Sequence, residues 1–296
     1  MHPLSRRSFL KASAHGAAAL SLSRAGLAAA PAGKPGFRLF ACDWTMKKTS
    51  DPGSFALAKS LGLDGVQVDF GRLAPGESRP PLLAPAHQDR ILAASRETGV
   101  AIASLAFGVL NSIPYKSAPE TESWVLDGLP VAKKLGVSVI LLAFFSKNDL
   151  VDDPAGIQET IRRLKRIAPR AADLGVTLGL ESWLKVDALE PILAAVNSPA
   201  VQVYYDVGNL HKVGEDYGAA IRRLGRERIC EIHLKDYDNL YGKGSIDFPA
   251  VRAACDAIGY RGWLGIEGTQ LPLGLEASLK YDVDYLRPLF PPTLPS

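Results

Sequence analysis

Leu174-Gly175-Val176-Thr177-Leu178-Gly179-Leu180-Glu181 is the stretch on which the reading of this chain turns. A helix ending at Leu174 needs a following residue that accepts the left-handed conformation, and Gly175 supplies it. The apolar run Val176–Glu181 then reads as a buried strand that closes on a carboxylate.

Outward from this stretch the same phrase recurs in Leu61-Gly62-Leu63, Thr98-Gly99-Val100, Leu135-Gly136-Val137 and Ile258-Gly259-Tyr260. Strands are predicted at Phe37–Asp43, Gly65–Phe70, Ala101–Phe107, Val137–Phe144, Val176–Glu181, Val201–Asp206, Ile229–Leu234 and Trp263–Glu267. Segments of helical period lie near 53–61, 85–98, 119–135, 154–174, 186–196, 215–225, 247–258 and 274–288. Short apolar runs alternating with helices are the pattern of βα units and a parallel sheet. Eight units without a long polar linker predict an α/β fold, a single-domain (β/α)8 TIM barrel. No GxGxxG follows the first strand, which weakens a dinucleotide-binding reading. One barrel of about 250 residues also suits a 296-residue chain.

The first residues stand apart from this pattern. Ser5-Arg6-Arg7-Ser8-Phe9-Leu10-Lys11 precedes a weakly apolar, Ala-rich run to Ala30, and it resembles a twin-arginine export signal. Cleavage sites are available at Ala28-Ala29-Ala30 and Ala30-Pro31-Ala32; Pro31 directly after the first makes it the less attractive. The division expected is therefore a signal over 1–32 and a barrel over 33–296. The resemblance implies export by the twin-arginine machinery and a periplasmic or secreted destination.

Without Arg6, Arg7, Lys11 and Arg24, the formal charge falls from +3 to about −1, with 30 basic residues against 31 acidic. A near-neutral mature chain carries no electrostatic footprint for nucleic acid. Hydrophobic residues at 47% and charged residues at 22% exclude a disordered or fibrous chain. No segment is long and apolar enough for a stable membrane span, and a homo-oligomer is compatible with the composition. Cys42, Cys230 and Cys255 show no CxxC spacing, so they read as free thiols, with Cys42 and Cys230 in buried runs.

In a barrel the loops leaving the C-terminal strand ends converge over the mouth. Glu181, Asp206, His233 and Glu267 occupy those ends on the fifth to eighth strands. Neighbouring strands lie about 5 Å apart, so four side chains at one height can meet on one ion. Three carboxylates crowded together repel one another unless a cation neutralises them. An oxygen-rich set with one imidazole suits a divalent metal, with Mn2+ favoured and Mg2+, Co2+ or Zn2+ also compatible.

Leu63-Asp-Gly-Val-Gln-Val68, Gly179-Leu-Glu-Ser182, Tyr205-Asp-Val-Gly-Asn209, Ile232-His-Leu-Lys-Asp236, Gly244-Ser-Ile-Asp-Phe248 and Gly262-Trp-Leu-Gly-Ile-Glu267 together resemble the xylose-isomerase-like TIM-barrel superfamily. Within it the chain is similar to the sugar phosphate isomerase/epimerase group, from about Phe37 to Leu289. The resemblance implies that Glu181, Asp206, His233 and Glu267 bind the metal and that Glu181 and Glu267 also act as acid and base. It implies a small sugar substrate and an enediolate mechanism. Ketose 3-epimerases of this group usually carry a His three residues after the Asp ligand; Asn209 stands there, which sets this chain apart from them. His211 reads as a loop residue.

Lys235, just past His233, is a further catalytic candidate through donation to a substrate oxygen; pairing with a loop acid is the alternative. Gly242-Lys-Gly244 after the seventh strand reads as a plain turn, with an anion cradle as the alternative. Trp44, Phe107, Phe145, Trp183 and Tyr237 follow strand ends where an aromatic face can stack on a sugar ring, Trp183 and Phe107 foremost, and His87 and Asn209 complete the substrate-binding candidates. The expected activity is a metal-dependent isomerase or epimerase of a keto-sugar. The alternative is a lyase or hydratase acting on a 3-keto-sugar or keto-glycoside with the same metal site, and a non-catalytic sugar-binding barrel is a third reading.

Overall fold

The structure, a computed structural model, describes residues 34–268 and 270–294; the twin-arginine segment lies outside them. Eight parallel strands close into a barrel: β1 (Arg38–Cys42), β2 (Gly65–Asp69), β3 (Ala101–Phe107), β4 (Val139–Phe144), β5 (Thr177–Ser182), β6 (Val201–Asp206), β7 (Ile229–Leu234) and β8 (Trp263–Ile266). Closure is made between β1 and β8, where Arg38 pairs with Trp263 and Ala41 with Ile266. Helices α1 (Gly53–Leu61), α2 (Pro85–Thr98), α3 (Pro119–Leu135), α4 (Pro154–Leu174), α5 (Val186–Val196), α6 (Val207–Lys212), α7 (Tyr217–Leu224), α8 (Phe248–Ala257) and α9 (Leu275–Leu289) connect and surround the strands.

Gly175 ends α4 as expected, at φ 67°, ψ 32°, and its N–H together with that of Val176 closes onto the last carbonyls of the helix. That closure takes Val176 out of the sheet, so β5 begins at Thr177. Val137 is spent in the same way after Gly136, and β4 begins at Val139. Before α4, Asp153 accepts from the Gly156 N–H and fixes where the helix starts. Along α4 the buried residues Ile161, Leu164, Ile167, Ala168 and Ala171 form the stripe that faces the barrel.

The apolar core divides into two. A large shell lies between the outer strand faces and the helices. A smaller cluster of Phe40, Cys42, Ala103, Ala106, Val139, Leu141, Ala143 and Tyr204 fills the lumen. The lumen also buries polar side chains, among them Gln67, Ser104, Glu231 and His233, directly beneath the strand ends that form the mouth. A short antiparallel ribbon, Lys34–Pro35 with Thr293–Leu294, joins the beginning of the described chain to its end. Among the described residues no helix is long and apolar enough to cross a membrane.

Candidate metal centre

Strand register brings the expected ligands to one height. Asp206 is the Cα partner of His233, and His233 is the partner of Gly265. Gly265 is required there: an added Cβ would lie 2.3 Å from Phe40 and 2.8 Å from His233 Cδ2. One residue past the end of β8, Glu267 is held by its N–H on Leu234 O. The ligand atoms of Glu181, Asp206, His233 and Glu267 all lie within 4.8 Å of one another.

The fit of these residues to a divalent ion rests on how their remaining atoms are committed. Gln67 donates through Nε2 to Ser104 Oγ (3.0 Å) and Tyr204 OH (2.8 Å). Both hydroxyls pass their own protons to Glu231 Oε2, at 2.7 and 2.8 Å. Gln67 Oε1 is thereby left to accept, and it faces His233 Nε2 at 2.9 Å and Cys42 Sγ at 3.2 Å. The network assigns the imidazole proton to Nε2 and turns Nδ1 toward Glu181 Oε1 (2.8 Å) and Asp206 Oδ2 (3.8 Å). An imidazole fixed by a partner on its far nitrogen is the usual preparation for ligation. Asp206 Oδ2 and Glu267 Oε2 are buried without a hydrogen-bond partner. Three carboxylates, an oriented imidazole and two such oxygens fit a divalent metal.

Lys235 supplies the cation within this cluster. Its Nζ lies 3.3 Å from Asp206 Oδ2 and also contacts Glu267 Oε2. Burial raises the Asp206 carboxyl to about 7 in spite of Lys235. Burial also acts to raise Glu267, but Lys235 and His233 overcome it and hold that carboxyl well below its ordinary range. Burial pulls His233 down, yet Glu181, Glu267 and Asp206 leave it above its ordinary value. Glu231, beneath them, is pushed up to about 7 by burial, against its hydrogen bonds from Ser104 and Tyr204.

A cavity of about 270 Å3 opens over the cluster. Glu181, Glu267, Lys235, Asn209 and Trp183 line it, together with Trp44, Phe145 and Tyr237. Trp44 Nε1 donates to Glu267 Oε1 at 3.1 Å. Trp183 stacks loosely on Tyr237, and Phe145 meets it edge-on. Asn209, in the first turn of α6, receives Tyr237 OH and Lys235 Nζ on its Oδ1. Its buried Nδ2 has no partner.

Two substrate-binding candidates lie elsewhere. Phe107 is wholly buried, stacked on Phe70 with ring centroids 3.7 Å apart, and it packs under α3 at Gly128. His87, on α2, faces Ser50 O (2.8 Å) and Ser50 Oγ (3.1 Å), where it braces the loop after β1 and does not line the cavity. His211 is helical, not in a loop: it falls in the last turn of α6, against Tyr217. Cys42 and Cys255 are buried free thiols as the sequence suggests for the former, while Cys230 is half-buried.

Sequence reasoning missed the acids of the first two strands. Asp43 Oδ2 accepts from the Ser50 and Asp69 N–H groups, and Asp69 accepts from those of Gly71 and Gly108. Both carboxyls are raised by burial, Asp69 to about 6. A carboxylate at each strand end was the available signal.

Residues 55–289 match the family model described as the xylose isomerase-like TIM barrel, and the chain belongs to that family. A protein of Escherichia coli (strain K12), provisionally named L-ribulose-5-phosphate 3-epimerase, is 29% identical over 249 residues, which cover 75% of this chain and 84% of that protein. The 2-epi-5-epi-valiolone 7-phosphate 2-epimerase of an Actinoplanes species is 29% identical over 189 residues, covering 63% of this chain and 68% of that one. Among solved structures, D-psicose 3-epimerase of Clostridium cellulolyticum H10 with D-tagatose has a TM-score of 0.72 at 16% identity, covering 86% and 99% of the two chains. All three bear the names of epimerases.

Proposed function

We propose that this protein is a metal-dependent isomerase or epimerase of a keto-sugar, acting by proton abstraction next to a carbonyl. One observation carries the reading. Of the four clustered residues, Glu181 and Glu267 also line the cavity, whereas Asp206 and His233 are fully buried behind them. The two carboxylates able to touch a substrate are thus held among groups that would fix an ion.

A divalent metal, with Mn2+ favoured, would supply electrostatic stabilisation for the negative charge that develops on the substrate oxygens. Glu181 and Glu267 divide the proton transfers: one removes the proton α to the carbonyl and the other returns one. Return to the opposite face yields the epimer, and return to the neighbouring carbon yields the isomer. Trp44 orients the Glu267 carboxylate through Oε1, and in the metal-free centre Lys235 holds Oε2. Lys235 donates to a substrate oxygen from the cavity wall, Asn209 offers its free Nδ2 to a hydroxyl, and Trp183 presents a ring face to the sugar.

A lyase or hydratase acting on a 3-keto-sugar or keto-glycoside would use the same two glutamates. The aromatic pair Trp183 and Tyr237 at the mouth favours that reading, because it offers a seat for a bulky substituent. We further place the mature chain in the periplasm or outside the cell, exported through the twin-arginine machinery. A cut near residue 32 leaves the Lys34–Pro35 ribbon intact, in keeping with removal of the signal.

Incubation with free ketoses, their phosphates and 3-keto-glycosides in D2O tests the chemistry. Deuterium at the epimerised or isomerised carbon is expected, and loss of water or aglycone instead would transfer the assignment to the lyase. Glu181→Gln and Glu267→Gln are each expected to lower turnover by about 10²–10⁴-fold. Undiminished turnover in either variant would sink the acid/base assignment.

A further inference from the structure

Lys235 brings a positive charge to residues whose charge suits a metal. Its ammonium reaches Asp206 Oδ2 and Glu267 Oε2, the two buried oxygens of the cluster without a well-directed hydrogen bond. It therefore holds both through charge. On its other side Nζ meets Asn209 Oδ1 at 3.3 Å and Tyr237 OH at 3.4 Å, both on the cavity wall.

The surrounding backbone is shaped to admit this side chain. A Cβ on Gly208 would lie 2.9 Å from Lys235 Cβ and Cγ. One on Gly268, where φ is +59°, would lie 2.7 Å from Lys235 Cε. Gly208 in the first turn of α6 and Gly268 in the loop after β8 thus flank one lysine stem, and the ammonium is placed between ligand carboxylates and cavity-wall acceptors.

We infer that Lys235 is a tethered cation that competes with the divalent metal for Asp206 and Glu267, and so sets how tightly the centre holds its ion. The inference rests on the metal centre proposed above. Two cations drawing on the same oxygens cannot both be fully paired, and like charges brought close together in a buried site repel strongly. Metal occupancy then turns the ammonium toward Asn209 and Tyr237, where it faces the substrate. The price of that position in the cavity is a weakened hold on the ion.

The experiment titrates chelator-stripped mature protein with Mn2+, reading free ion by its electron paramagnetic resonance signal, and follows thermal unfolding in chelator and in Mn2+. Wild type is compared with Lys235→Met, Lys235→Gln and Lys235→Arg. Both neutral variants are expected to bind Mn2+ at least tenfold more tightly, while Lys235→Arg stays near wild type. In chelator the neutral variants unfold at lower temperature, because buried carboxylates lose their cation, and Mn2+ raises their unfolding temperature more than it raises that of wild type. Unchanged or weaker Mn2+ binding in the folded neutral variants, with normal binding in wild type, overturns this inference alone. Absence of divalent-ion binding in wild type overturns the metal centre and this inference with it.

Discussion

The nitrogen that His233 turns toward the carboxylates is decided by Gln67, a residue that is not itself a candidate ligand. Its amide is locked by Ser104 and Tyr204, so only its oxygen is left for the imidazole. Gln67→Leu leaves buried Nε2 with only the weak Cys42 Sγ contact at 3.4 Å, and Mn2+ affinity measured by titration is expected to fall by about 10–100-fold. Equal affinity would show that the tautomer is fixed by something else. His233 was visible in the sequence as a polar residue ending an apolar run. Gln67 stood equally in view inside Val66-Gln67-Val68, but its partners lie 25 to 166 residues away, and no local pattern connects them. A second residue-scale expectation concerns acid. Burial raises the Asp69 carboxyl to about 6, so between pH ~4 and ~6 the folded state binds a proton that the unfolded chain has released. This group therefore lowers stability as pH rises through that window, and the loss is complete above it. Asp69→Asn is expected to flatten that part of the urea-unfolding profile; an unaltered slope would assign it to other groups.

At the scale of elements, the helix-Gly-strand phrase was legible because a left-handed residue and an apolar entry are local requirements. The structure moves the start of β4 and β5 inward, since the residue after each glycine is consumed by the helix ending. The short α6 was missed altogether: six residues are too few for a period, although Asp206 caps it by accepting from Asn209 N. One carboxylate thus starts a helix with Oδ1 and presents Oδ2 to the centre. The longer α4 offers a cap away from that chemistry. Asp153 accepts from Gly156 N at 2.8 Å and pairs with Lys116 at 2.7 Å. Asp153→Ala is expected to cost about 1–2 kcal/mol in urea unfolding with turnover unchanged. A cost near zero would mean that water replaces the cap fully.

For the whole molecule, barrel closure places the ends of β5 to β8 around one lumen, and the terminal ribbon ties residue 34 to residue 294. The proposed signal precedes that ribbon, so export and folding are separable. Arg6→Lys combined with Arg7→Lys is expected to keep the protein in the cytoplasm, still folded, as read by cell fractionation and circular dichroism. Undiminished periplasmic accumulation would remove the twin-arginine assignment.

By itself the sequence determined the number and order of βα units, the barrel class and the four residues at the mouth, because each is written in local period, a terminating glycine or a strand-end side chain. Only the tertiary structure decided that Phe107 and His87 stand away from the cavity, that Gln67 orients His233, and that Lys235 shares oxygens with the candidate ligands. Those outcomes depend on the direction of side chains across a closed lumen, and that direction is set by register and by glycines such as Gly265, through contacts between residues far apart in the chain.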